Sequence, residues 1–311
     1  MEKMSAKRGL TFPAQSTPHD VEITIAPNAG ACFGVVRAIK LGYQAATRAE
    51  KKQDPIYSLG PLIHNSAVVD ALKAKGVHTT VEPDEIENGT VILRSHGVPL
   101  PAETELRERG VKIVDATCPL VKKPQRIARS LGDRGYFLIV VGDLNHPEVK
   151  GVLSYFGRDD YLVTYHPKDL DKIPAGTQKV GVIAQTTIEG SVFRAISDRA
   201  RQLFADVLVH NTICDATTIR QTEAVELARN ADVLVVVGGK HSSNTNKLVK
   251  ICKGFQPDTY HIEQLEEIEP LWFLHKHRIG ITGGASTPHE YVDQVGDHVA
   301  GIVTRQQECS R

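Results

Sequence analysis

The sequence predicts an α/β protein built from three similar βαβ-type domains with parallel sheets in a pseudo-threefold arrangement. Three observations predict it. A cysteine ends each of three short β-branched runs, a helical segment follows each cysteine, and each helix leads into a strand that ends in glycine four residues before a polar position. Strands alternating with helices at this spacing are the signature of βαβ units with parallel pairing.

The elements come in the same order three times. Cys32 follows VEITIAPNAGA, Cys118 follows VKIVDAT and Cys214 follows VLVHNTI. Helices are expected over Val35–Ala49, Val121–Leu131 and Ile219–Arg229, the last on the apolar spacing of Ala224, Leu227 and Ala228. The strands PIYSLG, YFLIVVG and ADVLVVVG follow, and Gly60 leads to His64, Gly142 to His146 and Gly238 to Ser242. The separation from cysteine to that polar position is 32, 28 and 28 residues. Second helices are expected over Ala67–Lys75, Val149–Phe156 and Lys247–Lys253. Each unit then closes on a strand with a polar end: TVILRSHG with His96, KVGVIAQTT with Thr186 and Thr187, HRIGITGGAST with Ser286. Ligands of open α/β sheets bind beyond the carboxyl ends of the strands, where all these cysteines and polar residues fall.

The expected domains are 21–117, 118–210 and 211–300, with the strand at 21–32 able to pack on the third. Residues 1–20 and 301–311 are expected to be tails; Glu2 and Asp20 fit poorly in a transit peptide. The 311 residues are 41 % hydrophobic and 24 % charged, enough for a large core. The 37 basic and 37 acidic side chains cancel, which argues against a nucleic-acid groove. No apolar run approaches the roughly 18 residues that span a bilayer, so the expectation is a cytoplasmic protein without membrane contact.

Five widely spread cysteines are not a secreted disulfide framework. Cys252 and Cys309 have no counterpart in the repeat and are expected to be structural or incidental. For the other three, packing as small hydrophobes competes with metal ligation, and their matching positions favour a metal. Structural zinc usually takes close CxxC pairs and a fourth protein ligand, and neither is evident here. A four-iron cluster wants four thiolates, so three would leave one iron open to substrate. No glycine cluster forms a GxGxxG or Walker A fingerprint, so no nicotinamide or ATP site is expected.

Nine short motifs, in order over roughly residues 20–300, resemble those of the 4-hydroxy-3-methylbut-2-enyl diphosphate reductase family. They are the run from Asn28 through Cys32 to Arg37 and Ala38, Gly60 to His64 and Asn65, Ser95-His96-Gly97-Val98, Asp115 to Cys118 and Val121, and His146-Pro147-Glu148. Gln185-Thr186-Thr187, Cys214 to Arg220 and Gln221, Ser242-Ser243-Asn244 to Asn246, and Gly284 to Ser286 and Pro288 complete them. The resemblance implies three α/β domains around a central [4Fe-4S] cluster and the last step of the non-mevalonate (MEP/DOXP) isoprenoid route. That step removes the hydroxyl of an allylic diphosphate with two electrons and two protons, giving isopentenyl and dimethylallyl diphosphate. Ferredoxin or flavodoxin is the implied electron donor. Ala31, His241 and Gly283 depart from the residues common at those positions, and none replaces a ligand type.

The resemblance implies Cys32, Cys118 and Cys214 as cluster ligands and Glu148 as the proton source, with Thr186 and His146 as its catalytic partners. Glu148 is also the only carboxylate at the polar positions of the repeat. Its alternative is a surface glutamate opening a helix at its N-terminus, a favoured place for one. His64, His96, His146, Thr186, Ser242, Ser243, Asn244 and Ser286 are the expected substrate-binding residues, with helix capping as the alternative for the serines and Asn244. Thr186 competes with Thr187, since strand alternation turns one of the two away. His78, His166, His275 and His277 are expected at the surface. The competing functions are an iron–sulfur hydratase or dehydratase, whose open iron acts as a Lewis acid, and a redox or zinc-binding scaffold.

Overall fold

The computed structural model describes residues 6–10 and 21–309, the last without its side chain. The rest of the expected tails, and the Cys309 side chain, lie outside the described residues. In chain order the elements are β1 (Lys7–Arg8), β2 (Glu22–Ile25), α1 (Phe33–Lys52), β3 (Ile56–Leu59), α2 (Ser66–Lys73), β4 (Val77–Thr80), β5 (Thr90–Leu93), α3 (Leu100–Glu108) and β6 (Lys112–Asp115). There follow α4 (Pro119–Asp133), β7 (Phe137–Val141), α5 (Pro147–Phe156), β8 (Tyr161–Thr164), β9 (Lys179–Ala184), α6 (Gly190–Leu203) and β10 (Asp206–Val209). The chain ends with α7 (Asp215–Asn230), β11 (Val233–Val237), α8 (Ser243–Phe255), β12 (Thr259–Ile262), β13 (Arg278–Gly283) and α9 (His289–Cys309).

The strands form three sheets with one topology. Their orders are β4-β3-β5-β6, β8-β7-β9-β10 and β12-β11-β13-β2, and β1 adds a fifth strand beside β2 in the last. Every pairing is parallel. The α/β class with three parallel sheets is as the sequence predicts. The strand before each cysteine completes a different sheet from the strands after it: β6 before Cys118 pairs with β5, β10 before Cys214 with β9, and β2 before Cys32 with β13. The three repeats are thus permuted by one strand relative to the sheets.

The chain divides into two compact units. One comprises residues 1–32, 64–66 and 216–311, with the five-stranded sheet; the other comprises 33–63 and 67–215, with both four-stranded sheets. Two tail expectations differ from the structure. Lys7 and Arg8 pair with Thr24 and Ile25 rather than lying in a loose tail. Helix α9 continues past residue 300 to Cys309, carrying buried Ile302 and Val303 against the core of the first unit.

Local chemistry explains the elements. The central strands β7 (FLIVV) and β11 (VLVVV) are buried throughout, the unbroken apolar pattern of parallel strands covered on both faces. Each such side chain contributes about 1.5–3 kcal/mol on leaving water. The edge strand β4 (VHTT) exposes His78 and Thr79 instead. Helix α1 buries Gly34, Val35, Ala38, Gly42, Ala45, Ala46 and Ala49, a small-residue stripe that permits close packing; a Cβ on Gly42 would lie 2.8 Å from Leu62. Pro119 and Pro147 open α4 and α5, where proline's missing N–H costs nothing. Gly238, at the end of β11, has φ +148 and no space for a side chain, with Thr287 Oγ1 and Thr245 Oγ1 at 2.7 and 2.8 Å from its missing Cβ.

Candidate active site

The three repeat cysteines occupy equivalent places. Each precedes the first residue of a helix, at the electropositive end where anionic groups are favoured. Each backbone N–H donates to a carbonyl at the polar end of the neighbouring strand: Cys118 to Ser95 (2.9 Å), Cys214 to Thr186 (2.9 Å) and Cys32 to Ala285 (3.0 Å). Cys118 is therefore tied to the His96 strand end, Cys214 to Thr186 itself, and Cys32 to the strand end that carries Ser286.

Within the second unit the polar residues form a connected set. His146 caps α5, its Nδ1 accepting from the Glu148 N–H at 3.2 Å. That bond requires an unprotonated Nδ1, which leaves Nε2 to carry the ring proton and act as the donor. The His96 ring meets the His146 ring edge-on, centroids 5.9 Å apart, and its Nδ1 lies 3.4 Å from Ser95 Oγ. Glu148 is 1 % exposed, which removes the reading of a surface glutamate. Its Oε1 accepts from the Thr186 N–H and its Oε2 is joined to Thr186 Oγ1, both at 2.7 Å. The structure thus distinguishes the two threonines: Thr186 faces Glu148, while Thr187 Oγ1 accepts from the Gln185 side chain at 3.0 Å. An unbroken path runs from His146 through Glu148 and Thr186 to the Cys214 backbone.

Asp115, just before Cys118, shows how such a loop is stiffened. Its carboxylate accepts from Lys122 and from the Thr117 N–H. Burial pushes this carboxyl up, but hydrogen bonds from Lys122 and Thr117 outweigh burial and hold it below the usual carboxylate range.

The first unit carries the other polar residues. Ser242 caps α8, its Oγ accepting from the Thr245 N–H at 3.3 Å. Capping is therefore real for both His146 and Ser242. Asn244 is 5 % exposed, yet neither its amide nitrogen nor its amide oxygen has a hydrogen-bond partner among the described residues. An orphaned buried amide is costly and suits a site that a polar ligand completes. Ser243 is half-buried and Ser286 is buried. His64 and Asn65 follow a strand of the second unit but group with the first; the His64 carbonyl lies 3.0 Å from where a Cβ on Gly239 would stand. His78, His166, His275 and His277 are exposed, as expected.

The chemistry of the donors fits a thiolate-ligated group. Cys32, Cys118 and Cys214 are half-buried and form no disulfide, whereas Cys252 is fully buried and burial pushes its thiol up to about 12. Among the described residues no three His, Cys, Asp or Glu side chains stand assembled as a metal site. The contrast among cysteines is measurable: in metal-free, reduced protein at pH 8.5, iodoacetamide should label the three half-buried thiols and leave Cys252 unlabelled. Labelling of Cys252 at a comparable rate contradicts this reading.

Sequence reasoning missed the buried charges of α7. Arg220 and Glu223 are 4 % and 7 % exposed, on the same face as buried Thr217, Ala224 and Leu227. Their spacing was the available signal, because charges three residues apart on a core-facing stripe need buried partners.

Parallel sheets with a cysteine at each of three strand ends define the α/β class of this protein, and the chain belongs to the LytB protein family, which matches residues 23–300. The family carries a [4Fe-4S] cluster. Among relatives, the 4-hydroxy-3-methylbut-2-enyl diphosphate reductase of Pelobacter propionicus is 42 % identical over 282 residues, covering 91 % of this chain and 99 % of the relative. That of Aquifex aeolicus is 41 % identical over 288 residues, covering 92 % and 98 %. A solved structure of (E)-4-hydroxy-3-methyl-but-2-enyl diphosphate reductase, described as the terminal enzyme of the non-mevalonate pathway, is 40 % identical with TM-score 0.65, covering 92 % of this chain and 99 % of the other. The E-1-hydroxy-2-methyl-but-2-enyl-4-diphosphate reductase of Plasmodium falciparum is 25 % identical with TM-score 0.79, covering 87 % and 85 %. Strand β1 precedes the matched span. No helix among the described residues is long and apolar enough to cross a membrane.

Proposed function

We propose that this chain reduces (E)-4-hydroxy-3-methylbut-2-enyl diphosphate to isopentenyl and dimethylallyl diphosphate. The observation that carries the reading is the buried Glu148–Thr186 pair, hydrogen-bonded at both carboxylate oxygens beside the Cys214 backbone. A C–O bond breaks, two electrons and two protons enter, and water leaves. Cys32, Cys118 and Cys214 would hold the family's [4Fe-4S] cluster, which would supply electrons and a Lewis-acidic iron.

The remaining chemistry belongs to the protein. Glu148, enclosed and hydrogen-bonded to Thr186, is the proposed proton source. Thr186 is the proposed link between that carboxyl and the leaving hydroxyl. Its Oγ1 donates to Glu148 Oε2 at 2.7 Å in the free protein; in the proposed relay this bond reverses, so that Oγ1 gives its proton to the leaving oxygen and takes one from Glu148 Oε2. The proposed diphosphate-binding donors are the imidazoles of His64, His96 and His146, the hydroxyls of Ser242, Ser243 and Ser286, and the amide of Asn244. Helix N-termini at α5 and α8 contribute backbone N–H groups. A one-electron carrier of the ferredoxin or flavodoxin type is the proposed donor.

Electron counting tests the proposal. Reconstituted protein given substrate and a one-electron donor should consume two reducing equivalents per product molecule. Product formation without electron uptake would assign the hydratase or dehydratase reading instead.

A further inference from the structure

Two arginines link one cysteine segment to another. Arg37 lies in the second turn of α1, five residues after Cys32, and donates Nη1 to the Thr117 carbonyl (3.1 Å) and Nη2 to the Asp115 carbonyl (3.2 Å), one and three residues before Cys118. Arg220 lies in the second turn of α7, six residues after Cys214, and donates Nε and Nη2 to the Gly30 carbonyl at 3.2 and 2.7 Å, two residues before Cys32. In each case the helix that follows one cysteine grips the loop that precedes another. After Cys118 the corresponding positions hold Lys123 and Pro124, so α4 carries no such arginine.

The Cys32 loop is gripped hardest. Glu223, one turn beyond Arg220, accepts from the Asn28 N–H (3.0 Å) and the Asn28 amide (2.6 Å). His289 Nδ1 lies 3.0 Å from the Ala29 carbonyl. Arg8 of β1 reaches the Ala26, Pro27 and Ala29 carbonyls at 3.2–3.4 Å while paired with Asp293. Gly30 itself has φ +111 and sits against His289, a shape that a side chain would not adopt. Packing alone needs no buried guanidinium: a carbonyl turned toward water would be satisfied without one.

We infer that Arg220 and Arg37 are positioning residues that hold the backbone segments leading into Cys32 and Cys118, respectively, in one conformation whether or not a metal is bound. Planar guanidinium donors suit this task because they fix a carbonyl in direction as well as distance. The biological purpose rests on the cluster reading above; the geometry being tested does not.

The test uses the metal-free, reduced full-length chain. Iodoacetamide labelling is followed in time at each cysteine by peptide mass spectrometry, for Arg220→Gln and Arg37→Gln. Arg220→Gln should raise labelling of Cys32 roughly fivefold or more and leave Cys118 within about twofold, the size expected when a charge-assisted bond is removed from a local opening equilibrium. Arg37→Gln should do the reverse. A merely structural role would raise both rates together in each variant, and that result, or no change in either, overturns the inference. If a glutamine chain does not fold, Arg220→Lys and Arg37→Lys carry the same test, since lysine keeps the charge and loses the fork. Failure of the chain to bind iron would undo the cluster reading and leave this labelling pattern standing.

Discussion

Replacing Glu148 by glutamine should lower turnover by about 10²–10⁴-fold while leaving the fold intact, the range typical for loss of a general acid. Glutamine has the shape of glutamate and can still accept from the Thr186 N–H through its amide oxygen. Its NH₂ group then faces Thr186 Oγ1, which must turn from donor to acceptor. The protein therefore keeps its packing and loses its transferable proton. Circular dichroism and the melting temperature should change little, and the substrate KM should change far less than kcat. Thr186→Ala is the companion variant; it keeps the backbone bond and removes the relay, so its loss should be real but smaller. Turnover of the Glu148→Gln chain near that of the parent would remove Glu148 from the proton path.

The second large effect concerns the thiols. Serine at position 32, 118 or 214 should each abolish a stable cluster, seen as loss of bound iron and sulfide and of the brown colour after anaerobic reconstitution. Cys252→Ser should retain full iron content, because Cys252 packs in the core of the first unit with a thiol that burial keeps protonated. Its penalty should appear instead as stability, about 1–3 kcal/mol for placing a hydroxyl among apolar groups. The ratio of iron to protein in the four variants separates ligand from core. Equal iron in Cys118→Ser and Cys252→Ser would contradict the assignment.

Much of this was legible in the sequence because it lies in local pattern. The apolar runs at 137–141 and 233–237 read as strands, and the glycines and polar residues after them read as strand ends. The expected domain bounds group β6 with β5 and β10 with β9, each pair being neighbours in sequence, and let the strand at 21–32 pack on the third domain. The register of that last pairing was not legible, because the partner β13 lies at the other end of the chain. Side-chain direction was also hidden: alternation alone could not choose Thr186 over Thr187, whereas the loop after β9 turns both the N–H and hydroxyl of Thr186 onto Glu148. Residues 64–66 show the same limit, since chain order places them after β3 and contacts place them with the other unit. Arg220 and Glu223 carried a signal in their helical spacing, but their partners Asn28 and Gly30 are about 190 residues away.

Three cysteine ligands would leave one iron of a four-iron cluster without a protein ligand. Mössbauer spectroscopy of protein reconstituted with iron-57 measures this directly. Four irons per chain are expected, with about one quarter of the absorption from a distinct site whose parameters shift when the allylic diphosphate is added. Four equivalent irons indifferent to substrate, or a colourless protein holding zinc, would contradict it.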